Sequence, residues 1–392
     1  MKKTAVAPPK AVPPELDRKE ILRYSRHLLL PEVGLTGQKK LKGGGVLLVG
    51  AGGLGSPAAM YLAAAGVGHI GIIDNDDVDE SNLQRQIIHG TEDIGRPKAD
   101  SAREGIHRIN PHVRVTALNE TLSSANALDI FRDFDIIVDG TDNFAARYLI
   151  NDACALLGKP DVYGAVYQFE GQATVFDARR GGCLRCLMPE PPAPEDVPTC
   201  GEGGILGVLP CIVGGIQATE AIQLILSGSS PLINKLLAFD AWTMRFHTFD
   251  IPRSAACPLC GEHPRIRELT DYERFCGSRR APLEEPVEEI GPKELKALLA
   301  GGAKPQIIDV RLPEELKISV LPGAKSIPLK QLARRMDEIS PAHDAIFVCK
   351  VGEKSALAIE MLREEGYPGR MLNLRGGMNA WAREVDTAMP VY

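Results

Sequence analysis

The 392-residue sequence has no excess of positive charge: 45 Lys and Arg stand against 51 Asp and Glu, a formal net charge of −6. That argues against a general nucleic-acid binder, which needs a basic surface. No apolar h-region follows Met1-Lys2-Lys3, so no secretory signal is expected. An uninterrupted apolar run is also missing. Val46 to Ile73 carries no Asp, Glu, Lys or Arg, but its seven glycines and Ser56-Pro57 read as a buried βαβ unit, not a membrane span. Nor do the cysteines come in an even set: there are nine, four of them in two C-x-x-C pairs. Without export features, this favours metal binding and thiol chemistry over a disulfide framework. These absences point to a cytoplasmic globular protein, without a nucleic-acid or membrane partner, whose length suits two or three domains.

What is present is organised around VLLVGAGGLGSPAAMYLAAAGVGHIGIID, Val46 to Asp74. An apolar strand leads into a turn with Gly50, Gly52 and Gly55 at G-x-G-x-x-G spacing, then a helix and a second apolar strand. Glycine permits a tight turn and close approach of backbone to phosphate. Ser56 is expected to cap the helix, Pro57 to suit its first position and Gly66 its end. Asp74, 19 residues beyond Gly55, stands where a carboxylate reaches a ribose hydroxyl. The turn says nucleotide, and taken alone its commonest reading is NAD.

Residues 1–14, with four prolines, read as a disordered tail. Glu15 to Leu30 has helical period, with Arg26 on its polar face. After Asp74 the acidic loop of Asp76, Asp77, Asp79 and Glu80 precedes Arg85, Arg96 and Lys98, near the carboxyl ends of strands where ligands bind. Helices are expected over Lys98 to Asn110, Ala125 to Asp133 and Ala145 to Leu157. Val113 to Leu118, Asp135 to Asp139, Asp161 to Val166 and Gly171 to Phe176 read as strands, with Gly164 and Gly171 as breaks. Asp142 and Asn143 follow a strand end, and a carboxylate there can hold Mg2+ beside phosphates. Cys183, Cys186, Cys257 and Cys260 form two C-x-x-C knuckles 70 residues apart, a set that suits a structural four-thiolate zinc site. Two redox dithiols are the alternative. Pro189 to Pro198 reads as a crossover loop ending at Cys200, which is either reactive or an ordinary loop cysteine; Cys211 reads as buried. Leu236 to Phe239 and Met244 to Phe249 suit a strand pair. Residues 271–289 are charged and proline-bearing, hence a linker, with no role for Cys276.

A second domain is expected over residues 290–392. The strand AIFV runs into Cys349, a glycine-containing loop and an amphipathic helix, an order that points backbone N–H groups at the sulfur. A phosphatase loop needs Arg at position 355, which is Ser; the short loop from Cys349 to Lys354 suits sulfane sulfur. Gln331 to Met336 is expected to be helical.

Residues 15–270 resemble the MoeB/ThiF group of ubiquitin-activating-enzyme-like adenylyltransferases through RYSRHLLL, GAGGLG, SNLQRQ, RPK, DGTDN, the paired C-x-x-C and TCGEGG. Residues 290–392 resemble a rhodanese domain through IIDVR, LPGAKSIPL, the Cys349 loop and LRGGMNAWA. Together they resemble the two-domain molybdopterin-synthase adenylyltransferase/sulfurtransferases, MoeBR-type in bacteria and Uba-type in eukaryotes. The resemblance implies a Rossmann-like, mostly parallel α/β adenylation domain with a zinc knuckle, followed by a small α/β rhodanese-like domain. It assigns ATP binding to Gly53, Asp74, Ser81, Asn82, Arg85 and Lys98, with Leu83 and Gln84 of the same SNLQRQ motif, and Mg2+ to Asp142 beside Asn143. Arg26 matches an arginine that reaches the partner subunit's ATP, which implies a homodimer. Cys183, Cys186, Cys257 and Cys260 match Zn2+ ligands, Cys200 the adenylation-domain cysteine and Cys349 the persulfide carrier. Two departures are Ser319-Val320, where generic rhodaneses have Gly-His, and Lys350 and Lys354, where arginines are frequent.

The implied reaction activates the C-terminal Gly-Gly carboxylate of a ubiquitin-like sulfur carrier with ATP and converts it to a thiocarboxylate. Catalysis falls to Arg26, Arg85, Lys98, Asp142, Cys200 and Cys349, and a persulfide donor such as a cysteine desulfurase supplies sulfur. The rivals are an NAD-dependent oxidoreductase fused to a redox domain and a non-catalytic scaffold; intact Cys349 and Asp142 speak against the scaffold.

Overall fold

The computed structural model describes residues 14–192, 203–276 and 286–392. The expected tail lies outside these residues apart from Pro14. The chain divides into two compact units, Met1–Arg279 and Arg280–Tyr392.

In the first unit the strands are β1 (Gly45–Val49), β2 (His69–Ile73), β3 (Arg114–Leu118), β4 (Ile136–Asp139), β5 (Asp161–Tyr167), β6 (Glu170–Phe176), β7 (Lys235–Asp240) and β8 (Arg245–Asp250). They form one sheet in the order β3-β2-β1-β4-β5-β6-β7-β8. Pairing is parallel from β3 to β5 and antiparallel from β5 to β8. All five residues of β1 are buried, because helices cover both faces of the sheet. Val46 and Leu48 pack with helices Gly55–Ala65, Lys98–Ile109 and Leu209–Ser227. Leu47 and Val49 point the other way, into the core containing Phe131 and Tyr148 of helices Ala127–Arg132 and Phe144–Leu157. The strand order reverses between β2 and β4 on either side of β1, which opens a crevice at their carboxyl ends.

Helix Leu209–Ser227 is long and apolar enough to cross a membrane, with a mean hydropathy of 1.5. Here it is a core helix. Buried Gln217 donates to the carbonyls of Asp139 and Val162 at 2.7 and 2.9 Å, tying the helix to β4 and β5. A Cβ on Gly164 would lie 2.6 Å from Gln217, and one on Gly171 2.6 Å from Val213. These glycines therefore sit inside paired strands and let the helix approach; they are not the expected breaks.

Several further expectations change. The N-terminal helix is split into Arg18–Arg23 and Ser25–Leu28 at buried Tyr24, and an unexpected helix, Gly34–Gly43, follows. Ser56 does not cap its helix: it lies inside Gly55–Ala65, and its hydroxyl donates to the Ala51 carbonyl at 3.2 Å. Gly66 does end that helix, at φ 83°. Cys211 is half-buried, not buried. The linker begins later than residue 271, because helix Tyr272–Phe275 and Cys276 pack into the first unit's core. Burial pushes the Cys276 thiol up to about 11, so it is an inert core thiol at neutral pH.

Asp161, 1% exposed, opens β5 with neither carboxylate oxygen hydrogen-bonded. Burial first, then the neighbouring Asp139, pushes its carboxyl well above the usual range, which favours its neutral form. A carboxyl raised in this way stabilises the fold below its unfolded pKa and costs stability as pH rises above it. Asp161→Asn is therefore expected to raise the melting temperature by about 2–4 °C at pH 8. The gain should shrink toward pH 4; thermal unfolding across that range checks it, and a gain that grows on acidification would refute the account.

The second unit has a parallel sheet ordered β11-β10-β12-β13-β9. Its strands are β9 (Glu289–Ile290), β10 (Gln306–Asp309), β11 (Lys325–Ser326), β12 (Ala345–Val348) and β13 (Met371–Leu374). Fully buried β12 is central and aims its carboxyl end at Cys349. The expected helix over Gln331 to Met336 is instead two 3-10 segments, Leu329–Gln331 and Ala333–Glu338.

Candidate active sites

A cavity of about 1020 Å3 opens at the carboxyl ends of β1, β2 and β4. Its floor is the glycine turn. Gly50 has φ 96°, and a Cβ at Gly55 would lie 1.9 Å from the Gly50 carbonyl oxygen, so the helix can start this close to the strand only without a side chain. Asp74 braces the turn: one carboxylate oxygen accepts from the Ala51 N–H at 2.7 Å and the other from Asp76 N–H at 2.9 Å. His89 braces it from below. The Ala51 carbonyl can only accept, so the imidazole donates to it from Nε2 at 3.0 Å, which leaves Nδ1 to accept from Ser101, 2.8 Å away. Burial lowers the His89 pKa, which favours this neutral form.

Cations line one side. Lys98, 5% exposed, begins helix Lys98–Ile109 and places Nζ 2.8 Å from Asp76. Arg85 is half-buried and donates from Nη1 to the Ser81 carbonyl at 3.1 Å. Asp142 and Asn143, both exposed, line the same cavity. Asn143 caps helix Phe144–Leu157 by accepting from Ala146 N–H at 2.9 Å. Gly53, Asp74, Asn82, Arg85, Lys98, Asp142 and Asn143 thus share one cavity. Ser81, Leu83 and Gln84 do not line it: Ser81 bonds to Asp79 at the start of the same turn, and Gln84 packs near Gly207. Arg26 is exposed and outside the cavity of its own chain. Cys200 lies outside the described residues.

Arg147 was not among the expected site residues. It lines the cavity although 8% exposed, with its guanidinium 5.3 Å from the ring centroids of both Phe144 and Tyr163. Its position four residues after Asn143, on one helix face, is the signal that could have found it.

The four knuckle sulfurs all lie within 4.8 Å of one another. The closest approaches are 3.4 Å for Cys186–Cys260 and Cys183–Cys260, with 3.7 Å for Cys183–Cys257 and Cys257–Cys260. Thiolates held tetrahedrally at the Zn–S bond length are about 3.8 Å apart, so the set fits zinc and leaves no position for substrate. Between the ligands, Arg185 is buried and forks onto Asp152 at 2.8–3.2 Å. Its guanidinium lies 4.9 and 4.7 Å from the Tyr148 and Phe275 rings. Tyr272 donates to the same Asp152 at 2.7 Å, and Thr270 to Glu273 line the cavity at the glycine turn. Elemental analysis is expected to find about one zinc per chain, and metal removal by a chelator to lower the melting temperature by about 10 °C or more. A preparation with well under one metal per chain and unchanged melting would remove the assignment.

In the second unit Cys349 is 2% exposed and heads the loop after β12. Gly352, at φ 96°, donates its N–H to Sγ at 3.1 Å, and the Ser355 hydroxyl lies 3.2 Å from the same sulfur. Ser355 also donates to Asn373 at 2.6 Å, which fixes its rotamer. With the Ser355 proton on Asn373, the Gly352 N–H is the donor that faces this sulfur.

Residues 24–259 match the model of the ThiF family, and residues 291–384 that of the rhodanese-like domain. The sequence is 46% identical, over 96% of both chains, to a Mycobacterium tuberculosis protein described as a probable adenylyltransferase/sulfurtransferase MoeZ. It is 40% identical to the adenylyltransferase and sulfurtransferase MOCS3 of Culex quinquefasciatus, over 96% of this chain and 91% of that one. Among solved structures, E. coli MccB with MccA-N7isoASN superposes with a TM-score of 0.55 at 22% identity, over 62% of this chain and 74% of that chain. That likeness concerns the fold alone.

Proposed function

The chain belongs to the ThiF family and ends in a rhodanese-like domain, and from this premise we propose that it is an adenylyltransferase and sulfurtransferase. Its substrate is the C-terminal Gly-Gly carboxylate of a ubiquitin-like sulfur carrier. The carboxylate attacks the α-phosphate of ATP, the bond to the β-phosphate breaks, and pyrophosphate leaves an acyl-adenylate. The observation that carries this reading is the convergence of Arg85, Lys98 and Asp142 on one cavity above the glycine turn. A triphosphate carries more negative charge than the diphosphate of NAD and so draws more on these cations and on a metal-holding carboxylate. The protein mainly positions the reactants and neutralises charge. Asp142 and Asn143 offer the oxygen donors that Mg2+ takes, and the ion would neutralise phosphate charge there. Arg26, turned to solvent in its own chain, is assigned to the partner subunit's ATP in a homodimer.

The terminal sulfur of a Cys349 persulfide then attacks the acyl carbonyl, AMP leaves, and an acyl disulfide forms. The Cys200 thiolate attacks the Cys349 sulfur; the carrier departs as a thiocarboxylate, and a Cys200–Cys349 disulfide remains for a dithiol to reduce. A persulfide donor such as a cysteine desulfurase reloads Cys349. The cytoplasm, with its ATP and reduced thiols, suits this cycle, which serves molybdenum cofactor synthesis, tRNA thiolation or a related sulfur pathway. The test is ATP–pyrophosphate exchange in the presence of small carriers that end in Gly-Gly. Exchange is expected with at least one and should vanish when its two glycines are removed. Absence of exchange with every such carrier, together with thermal protection by NAD and none by Mg-ATP, would return the oxidoreductase reading.

A further inference from the structure

Tyr392 lies beside the Cys349 loop, its ring against Lys350, and nothing in the reaction above uses it. Tyr392 is held on three sides. Its main chain exchanges hydrogen bonds with Asn379, whose Nδ2 donates to the Tyr392 carbonyl at 3.1 Å and whose Oδ1 accepts from Tyr392 N–H at 3.4 Å. Its hydroxyl accepts from Arg311 Nη1 at 2.6 Å and lies 3.1 Å from a Glu315 carboxylate oxygen. Arg311 is itself buried and clamped by Asp309. The ring face that remains carries the Lys350 ammonium, 4.9 Å from its centroid.

Lys350 is the residue after Cys349, and the same helix that holds Tyr392 holds this loop. In helix Gly377–Glu384, the N–H groups of Met378 and Asn379 donate to the carbonyls of Cys349 and Lys350 at 2.8 and 3.0 Å. A Cβ at Gly377 would strike those carbonyl oxygens at 2.3 and 2.6 Å, so the helix start can sit this close only with glycine there. Asn379 therefore ties the loop's main chain to Tyr392, while the ring holds the side chain of Lys350, the residue that follows Cys349. A free lysine side chain spreads its charge over many rotamers; a cation held over a ring does not.

We propose that Tyr392 is a positioning residue for the Cys349 site, holding the Lys350 ammonium beside the loop so that anionic sulfur species meet a fixed positive charge. The relevant ligands are a thiosulfate-like donor and the persulfide anion itself. The biological role rests on the assignment of Cys349 as persulfide carrier; the electrostatic effect on Cys349 does not.

The test uses the full-length protein and the rates at which iodoacetate, an anion, and iodoacetamide, its neutral counterpart, alkylate Cys349, read by mass spectrometry of the Cys349 peptide. A fixed cation accelerates the first relative to the second; a merely structural contact moves both together. Tyr392→Leu is expected to lower the ratio of the two rates about threefold, the change that a cation–π contact of ordinary strength supports. Tyr392→Phe keeps the ring and should keep the ratio, even though it loses the Arg311 and Glu315 bonds and melts lower. Lys350→Met should lower the ratio at least as far, and Tyr392→Leu should add nothing to it. A wild-type ratio in Tyr392→Leu, or an equal fall in Tyr392→Phe, overturns the proposal. Thiosulfate–cyanide sulfur transfer measured in parallel separates the two claims. A shifted ratio without transfer in the wild type removes the persulfide role and keeps the positioning. Transfer with an unmoved ratio does the reverse.

Discussion

Lys98→Ala is expected to slow ATP–pyrophosphate exchange by about 10²- to 10³-fold, the loss seen when one preorganised charge-stabilising group is removed. Lys98 is the most sheltered cation of the expected set, at 5% exposed, so its charge is screened less by water than that of an exposed lysine. Its partner Asp76 has a side chain that is 64% exposed, so the carboxylate left behind returns to water. The backbone tie between Lys98 N–H and the Asp76 carbonyl, 2.9 Å, survives the substitution. Melting should therefore move by no more than a few degrees while exchange collapses. Arg85→Ala should cost less, because its guanidinium is already bonded to the Ser81 carbonyl and is half-exposed. Exchange within threefold of wild type in Lys98→Ala would take the triphosphate away from Lys98.

The second large effect separates the two chemistries. Cys349→Ala should abolish thiocarboxylate formation, a loss of at least about 10³-fold, and leave exchange within about twofold. The separation is expected because the loop's shape does not depend on the thiol. Its carbonyls are held by Met378 and Asn379, Gly352 supplies the left-handed turn, and Ser355 keeps its bond to Asn373. Alanine removes the sulfur and little else. Mass spectrometry of the carrier, 16 Da heavier when one oxygen becomes sulfur, reads the product, and a carrier still converted by Cys349→Ala would move the persulfide elsewhere.

The parts of the site that were legible in the sequence are those whose meaning is local. Gly50, Gly55 and Asp74 belong to one strand–turn–helix–strand unit, and their spacing and the turn's sterics settle one another. The Cys349 loop is the same case: strand, donor loop and helix follow within a few residues. What could not be read depends on packing between distant segments. Tyr272 and Cys276 sit in charged, proline-bearing sequence that reads as a linker, yet Tyr272 bonds Asp152, 120 positions earlier. Arg147 acquires its place only when Tyr163, on another strand, comes against it. Helix Gly34–Gly43 contains three glycines and has weak intrinsic propensity; it forms where Gln38 and Leu41 are buried and Gly37 meets Leu226. The cysteine pairs were visible as a pattern, but spacing cannot say that two knuckles 70 residues apart meet.

That meeting has a topological consequence. A metal joining Cys183–Cys186 to Cys257–Cys260 closes the intervening chain into a ring, which contains Cys200, helix Leu209–Ser227, β7 and β8. A cross-link across so long a loop acts chiefly by restricting the unfolded chain, as a disulfide does, and one of this length is worth about 4 kcal/mol in loop-closure entropy. Unlike a disulfide it tolerates reducing conditions, so under the proposed reaction the ring would stay closed while Cys200 and Cys349 passed between thiol and disulfide. The chain can thus keep redox-active and redox-indifferent cysteines in one sequence, distinguished by whether a metal holds them.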